Sequence, residues 1–222
     1  MTPEEAELRE RVDRLAHGFL DEGDSFGWFD ELYRNANGNI DEIPWADLKP
    51  NRFFTSQFES LDLDPGKALV VGCGLGDEAG YLAEHGFDVT AFDVSQEAIE
   101  WAKRVNEDKG IDFRVADLFN APDEWRGAFD FVAEVYTIQA LPLEIRTATI
   151  RAISDFVKSG GTLIAVQRLR PEGVEPTGPP WAVSRDEIDE FQRQGLAEHF
   201  FEVYESDGGD PFDRFAAVYR KQ

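Results

Sequence analysis

Three glycines at alternate positions, Gly72, Gly74 and Gly76, stand directly after a short apolar run, KALVV (67–71). Glycine there lets the backbone turn tightly and approach a ligand without a Cβ in the way. The helix that follows offers unpaired N–H groups at its start. Seventeen residues beyond Gly76 comes Asp93, at the end of a second apolar run. A carboxylate at that place accepts hydrogen bonds from two ribose hydroxyls. Glycine-rich turn and acidic strand end together read as a nucleoside site. Val94 follows Asp93, and Asp117-Leu118 closes a third run, where a carboxylate and a backbone N–H suit an adenine edge; an exposed loop acid is the plainer alternative for Asp117.

The spacing discriminates between nucleosides. A dinucleotide fold expects G-x-G-x-x-G, with the third glycine inside the helix. Here the pattern is G-x-G-x-G followed by Asp77-Glu78. Two carboxylates at a helix start disfavour a pyrophosphate that needs the same N–H groups, although they also stabilise the helix dipole. A cationic sulfonium nucleoside fits better. An NAD(P)-linked oxidoreductase and a non-catalytic nucleoside-binding sensor are the competing readings.

The elements that position these residues follow from periodicity. Leu8, Val12, Leu15 and Phe19 form one apolar stripe of a helix over 3–22. A short second helix, capped by Asp24 or Ser25, carries Phe29 and Tyr33. A loop over 35–50 precedes a helix over 51–60. Strands are expected at 67–72, 88–93, 112–116, 128–134 and 162–167, with helices at 77–85, 95–109 and 142–157 between them. Ser184 and Glu187 form a capping box for a helix to about residue 194, and two late strands, 198–205 and 214–220, make a hairpin. The expected fold class is α/β: a doubly wound, mainly parallel, seven-stranded Rossmann-like sheet with a C-terminal antiparallel hairpin. Residues 1–64 form a helical cap and lid over one end of the sheet, and 65–222 the core, in a single domain.

Composition narrows the partners. Against 45 Asp and Glu stand 22 Lys and Arg, a formal charge of −23. Such a chain repels nucleic acid and anionic membrane surfaces. Cys73 is the sole cysteine, so an internal disulfide and a multi-cysteine zinc site are excluded. His17, His85 and His199 lack ligand spacing, and no metal site is expected. No apolar run reaches 18 residues and residues 1–14 have no signal-peptide core, so a cytoplasmic protein is expected, with monomer and homodimer both open. Six lysines beside 16 arginines suit either an ordinary acidic protein with solvated faces or one that stays hydrated in high salt.

The chain resembles the class I S-adenosylmethionine (SAM)-dependent methyltransferases in LVVGCGLG (69–76), VTAFDVS (89–95), VADLF (115–119) and FDFVAEVYTIQALP (129–142). One departure is Val70, where that class often carries an acidic residue. IPW (43–45), SGGTLIAV (159–166) and GPPWAVSRDEI (178–188) are further similar to the thiopurine S-methyltransferase-like group, which includes thiol and halide methyltransferases. The resemblance implies SAM as cofactor and S-adenosylhomocysteine (SAH) as product. It implies that Gly72, Cys73, Gly74 and Gly76 line the methionine and ribose, Asp93 and Val94 the ribose, and Asp117 and Leu118 the adenine. Glu134 and Tyr136 fall in the stretch that lines the reaction centre. Glu134 either holds the sulfonium side or orients an acceptor, unless it is a solvated strand end. Tyr136 positions the acceptor, acts as a weak base, or packs. Trp45 and Trp181 are the expected aromatic walls, with simple packing against Pro44 and Pro180 as the alternative, and Trp28 has a weaker claim. Arg168 and Arg170 follow the fifth strand and either hold an anionic acceptor or pair with surface carboxylates.

Overall fold

Alternate residues of the central strands feed two separate cores, which is why those strands are apolar throughout. In β1 (Lys67–Val71), Leu69 and Val71 face one layer, and Ala68 and Val70 the other. The same alternation runs through β4 (Phe129–Val135) and β5 (Val157–Leu169). A computed structural model describes residues 3–206 and 210–222 of the chain. Parallel strands β2 (Asp88–Asp93) and β3 (Asp112–Val115) extend the sheet on one side of β1. On the other side lie β4, β5 and then an antiparallel pair, β6 (Leu196–Tyr204) and β7 (Asp213–Lys221). The order is β3-β2-β1-β4-β5-β7-β6, so the last strand inserts between β5 and β6.

One face is covered by α3 (Arg52–Glu59), α4 (Asp77–Glu84) and α5 (Gln96–Val105), through Phe53, Phe54, Phe58, Leu82 and Ile99. The opposite face is covered by α7 (Arg146–Phe156), α8 (Arg185–Ile188) and α9 (Glu190–Arg193). Between β4 and α7 lies a single turn of helix, α6 (Thr137–Ala140). The N-terminal helices α1 (Pro3–Asp21) and α2 (Gly27–Ala36) build a third core. There Val12, Ala16, Trp28, Leu32 and Tyr33 meet Leu75, next to Gly74, and Ala98 and Trp101 of α5. Unlike these two helices, α3 packs on the sheet face, in the core that it shares with α4 and α5.

Several boundaries differ from the periodicity reading. The helix expected over 95–109 stops at Val105, because Asn106 turns its side chain inward to donate to the carbonyls of Leu75 and Ala102 at 3.0 and 3.1 Å. The helix expected over 142–157 is preceded by α6 and begins only at Arg146. Gly160-Gly161 does not separate that helix from β5: the strand begins at Val157 and takes up the glycines as a bulge, between the pairs Phe129↔Val157 and Phe131↔Thr162. The second helix starts at Gly27, with Asp24 accepting from the N–H groups of Phe26 and Gly27 at 2.9 Å. The Ser184–Glu187 capping box forms, but the helix behind it breaks into α8 and α9.

Candidate active site

The carboxyl ends of β1, β2 and β4 open into a cavity of about 1080 Å³ beneath α1, α2 and the 44–53 segment. Ligand sites in open α/β sheets lie at this edge, where the strand order reverses. The volume exceeds what one drug-sized ligand needs, roughly 300–1,000 Å³, and suits a cofactor with a second small molecule.

Gly72 shows why the turn after β1 must be glycine. Its φ is 58°, and a Cβ there would lie 2.5 Å from Thr137 Oγ1. That hydroxyl donates to the Val71 carbonyl at 3.0 Å, locking the β1 and β4 turns together. Gly72, Cys73, Gly74 and Leu75 line the cavity. Gly76 does not; a Cβ there would meet Phe113 at 2.8 Å, so its role is close packing of α4 against β3. The expectation that Gly76 touches ligand is thereby corrected. Burial pushes the Cys73 thiol well up from its ordinary value, which keeps it protonated and unreactive.

Asp93 is the organising carboxylate. One oxygen accepts from Gly74 N–H and the other from Ser95 N–H, both at 2.9 Å. Burial raises its pKa, while the backbone N–H groups pull it down. Two of roughly four acceptor positions are used, which leaves capacity toward the cavity for a pair of vicinal hydroxyls. Val94, Asp117 and Leu118 continue the same wall. Asp117 is tied into its own turn by Phe119 N–H at 2.9 Å and Asn120 Nδ2 at 2.5 Å. A carboxylate with spare acceptors beside a bare-backbone cradle fits a ribose and its nucleoside.

The lid is clamped to this floor. Asp30 of α2 accepts from Ser95 Oγ at 2.8 Å and from Glu97 N–H at 3.1 Å. Glu78 accepts from Asn51 N–H at 2.9 Å, which fixes the segment leading into α3. Trp45 lines the cavity, stays 43% exposed, and donates from Nε1 to Tyr33 Oη at 3.0 Å. Trp28 is buried, stacks on Phe29 at 3.8 Å and meets Trp45 edge-on at 6.0 Å. Beside them the Asp77 carboxyl is pushed up to about 7, by burial first and then by Glu78 and Asp47.

At the far end the chain turns sharply after β4. Tyr136 takes φ 64°, a left-handed conformation rare for an aromatic residue, and lines the cavity. Strain of this kind costs on the order of 1–3 kcal/mol and persists where neighbours hold it. Glu134 supplies the hold. It accepts from Thr137 N–H at 2.8 Å, Ile138 N–H at 3.0 Å and Gln167 Nε2 at 2.7 Å. It is fully buried and lies outside the cavity lining. Burial pushes its carboxyl up to about 7 against those donors. Glu134 is therefore a positioning residue under Tyr136, neither a solvated strand end nor a group that meets ligand.

Trp181 is also displaced from its expected place. Thr177, Gly178, Pro179 and Pro180 form the wall, while Trp181 anchors it by donating its N–H to the Gln139 carbonyl at 2.7 Å. Arg170 is consumed structurally, pairing with Glu187 at 2.9 Å and donating to the Val174 and Ala182 carbonyls. Arg168 does face the cavity, with Asp210 at 2.8 Å. Sequence reading missed Tyr33, Asp210 and Arg214, which carry no local motif and reach the site only through folding, and did not single out Thr137 and Gln139 within the 129–142 stretch. Among the described residues no group of three metal-binding side chains occurs, and no helix is long and apolar enough to cross a membrane.

The sheet order and this edge site define a Rossmann-like protein with a large cavity at the carboxyl ends of its strands. Residues 68–161 match the methyltransferase-domain family. A probable thiol methyltransferase of Arabidopsis thaliana is 27% identical over 181 residues, covering 79% of this chain and 75% of its own length. A ubiquinone biosynthesis O-methyltransferase of Xanthomonas axonopodis pv. citri is 32% identical over 144 residues, covering 63% of this chain and 57% of its own, so the chain spans little more than half of that relative. The solved structure of the N-methyltransferase NodS from Bradyrhizobium japonicum, in complex with SAH, superimposes with a TM-score of 0.66 at 18% identity, covering 86% of this chain and 99% of that one. Residues 68–161 thus carry a methyltransferase domain, and the likeness of the chain to named methyltransferases supports SAM-dependent methyl transfer as its class of activity.

Proposed function

We propose that this enzyme methylates a small molecule, with a thiol or a similar soft nucleophile as acceptor. The observation that carries the reading is one continuous cavity that joins the Asp93 cradle to the Tyr136 turn, with room for two ligands. Likeness to a thiol methyltransferase over three-quarters of both chains supports the acceptor class. SAM held by Asp93 and the 72–75 backbone would supply an electrophilic methyl group on a cationic sulfur, with SAH as the product once the acceptor's lone pair has taken the methyl.

The chain's own residues align and exclude. Asp93 binds the ribose hydroxyls, the backbone of 72–75 cradles the methionine arm, and Asp117 and Leu118 meet the adenine. Trp45 and Trp28 close the lid side; an aromatic face beside a sulfonium is attractive by roughly 0.5–2 kcal/mol. Tyr136, held by Glu134, sets the position of the acceptor. A thiolate needs no proton removed in the transition state. A phenolic acceptor, which the ubiquinone O-methyltransferase relative suggests as a second reading, needs a base, and the Tyr136 hydroxyl is the candidate.

The test is calorimetric binding of SAH followed by SAM turnover over thiol, phenol, amine and halide acceptors with mass detection of products. Submillimolar SAH binding and fastest turnover of thiols are expected. Absence of SAH binding, or a nicotinamide cofactor raising the melting temperature in its place, defeats the reading.

A further inference from the structure

The cavity is electrically two-ended. On the turns after β1, β2 and β3 the charged lining groups are all acidic: Asp77, Glu78, Asp93 and Asp117. At the other end Arg168 of β5 and Arg214 of β7 meet Asp210, with Arg9 of α1 near Arg168. A local cationic excess is unexpected in a chain of charge −23.

The arginine pair is held in an unusual way. Arg168 and Arg214 are direct cross-strand partners in the β5–β7 register. Like charges in that arrangement repel. Both guanidiniums pair with the same oxygen, Oδ2 of Asp210, each at 2.8 Å, but only Arg214 makes a hydrogen bond to it. The neighbouring pair Arg146 and Arg170 makes a useful contrast. These two also share one carboxylate, Glu187, but each takes its own oxygen, and further donors reach the carbonyls of Trp181, Val174 and Ala182. Arg214 likewise donates to the Phe212 carbonyl at 2.6 Å. The Arg168 side chain has only Asp210 as its partner among the described residues, and it lines the cavity. Arg9 stands close enough to oppose its charge further. One carboxylate oxygen thus serves two half-buried cations, with guanidinium donors left over toward the space where an acceptor binds.

We infer that the acceptor is an anion, a small molecule whose carboxylate docks on Arg168 and Arg214 beside Asp210. A planar guanidinium matches a carboxylate with two parallel hydrogen bonds, and the second arginine supplies the charge that Asp210 leaves unbalanced. The inference rests on the methyltransferase reading and refines it. A cationic donor lies in the acidic half and an anionic acceptor in the basic half, so each ligand meets the opposite charge and wrong pairings are disfavoured.

Mercaptoacetate and its neutral amide, mercaptoacetamide, separate charge from shape. Both are titrated calorimetrically into the SAH-loaded protein, and both are offered as acceptors with SAM. The acid is expected to bind at least tenfold tighter than the amide. In Arg168→Gln and in Arg214→Gln that preference is expected to fall below threefold, with SAH titrations run in parallel to report folding. Equal binding of acid and amide to the wild-type protein overturns the inference, and so does a preference that survives both substitutions. Failure to bind SAH would instead remove the methyltransferase reading. A preference for the acid without methyl transfer leaves the anion site standing and rejects thiol as the accepting group.

Discussion

The half of the cavity proposed to hold the cofactor draws its walls from 71–75, 77–78, 92–94 and 116–118, short turns that each follow a parallel strand. The acceptor half draws on α1, the β4–α6 turn, the end of β5, the 177–180 wall and the 210–214 segment, which are neighbours only in space. The first half is made largely of backbone: a left-handed turn, N–H groups and one carboxylate. The second is made of side chains that converge from distant parts of the chain. Methyl donors share one shape and acceptors do not, so rigidity belongs in the first half and variety in the second.

The sharpest way to break this contrast is Asp93→Ala. Two charge-assisted backbone hydrogen bonds and the hydroxyl contacts go together, at about 1.5–3 kcal/mol each. SAH affinity measured by calorimetry is expected to fall by at least ~100-fold. Retained affinity would mean that the cradle alone defines the cofactor half. Gly72→Ala comes next. A left-handed alanine costs roughly 1–2 kcal/mol, and its Cβ would sit 2.5 Å from Thr137 Oγ1, so denaturant midpoints and SAH binding should drop together. A variant that binds SAH normally would show that the β1–β4 lock is dispensable.

Trp45→Ala probes the lid, where the two halves meet. The side chain is 43% exposed, so a ~3- to 10-fold loss of SAH affinity is expected from lost cation–π and packing contacts, with little change in stability. A larger effect on acceptor KM than on SAH affinity would move Trp45 into the acceptor half.

The smallest effect concerns Glu134, beneath the acceptor half. Its carboxyl is raised from its ordinary 4.5 to about 7, so the folded state holds a proton that the unfolded chain releases. That contribution to stability is complete below about pH 4.5 and is lost as pH rises through about 7. Wild-type urea stability should therefore decline across this window, and the decline should be shallower in Glu134→Gln. Asp77, also raised to about 7, adds a slope of the same sign that the variant retains. An unchanged slope in Glu134→Gln would deny Glu134 its place as the buried titrating group.

Much of the cofactor half could be read along the chain. Glycine spacing, the strand-terminal Asp93 and the capping box at Ser184 are local signals, and each element they imply is present. Reading failed where a local signal served a tertiary purpose. Gly160-Gly161 looked like a stop and became a bulge inside β5. Gly76 looked like a ligand contact and is a packing contact with Phe113. Glu134 looked like a site carboxylate and lies beneath the turn that holds Tyr136.

By itself, the sequence determined the doubly wound sheet, the glycine turn after β1 and the acidic start of α4. Those features depend on hydrophobic period, on φ and on charge, which act over a few residues. Only the tertiary structure decided that Tyr33 supports Trp45, that Glu134 leaves the cavity, and that Arg168 and Arg214 share one oxygen of Asp210. Contacts between strands far apart in sequence are set by register and by the closing of a common core, and neither leaves a periodic trace along the chain.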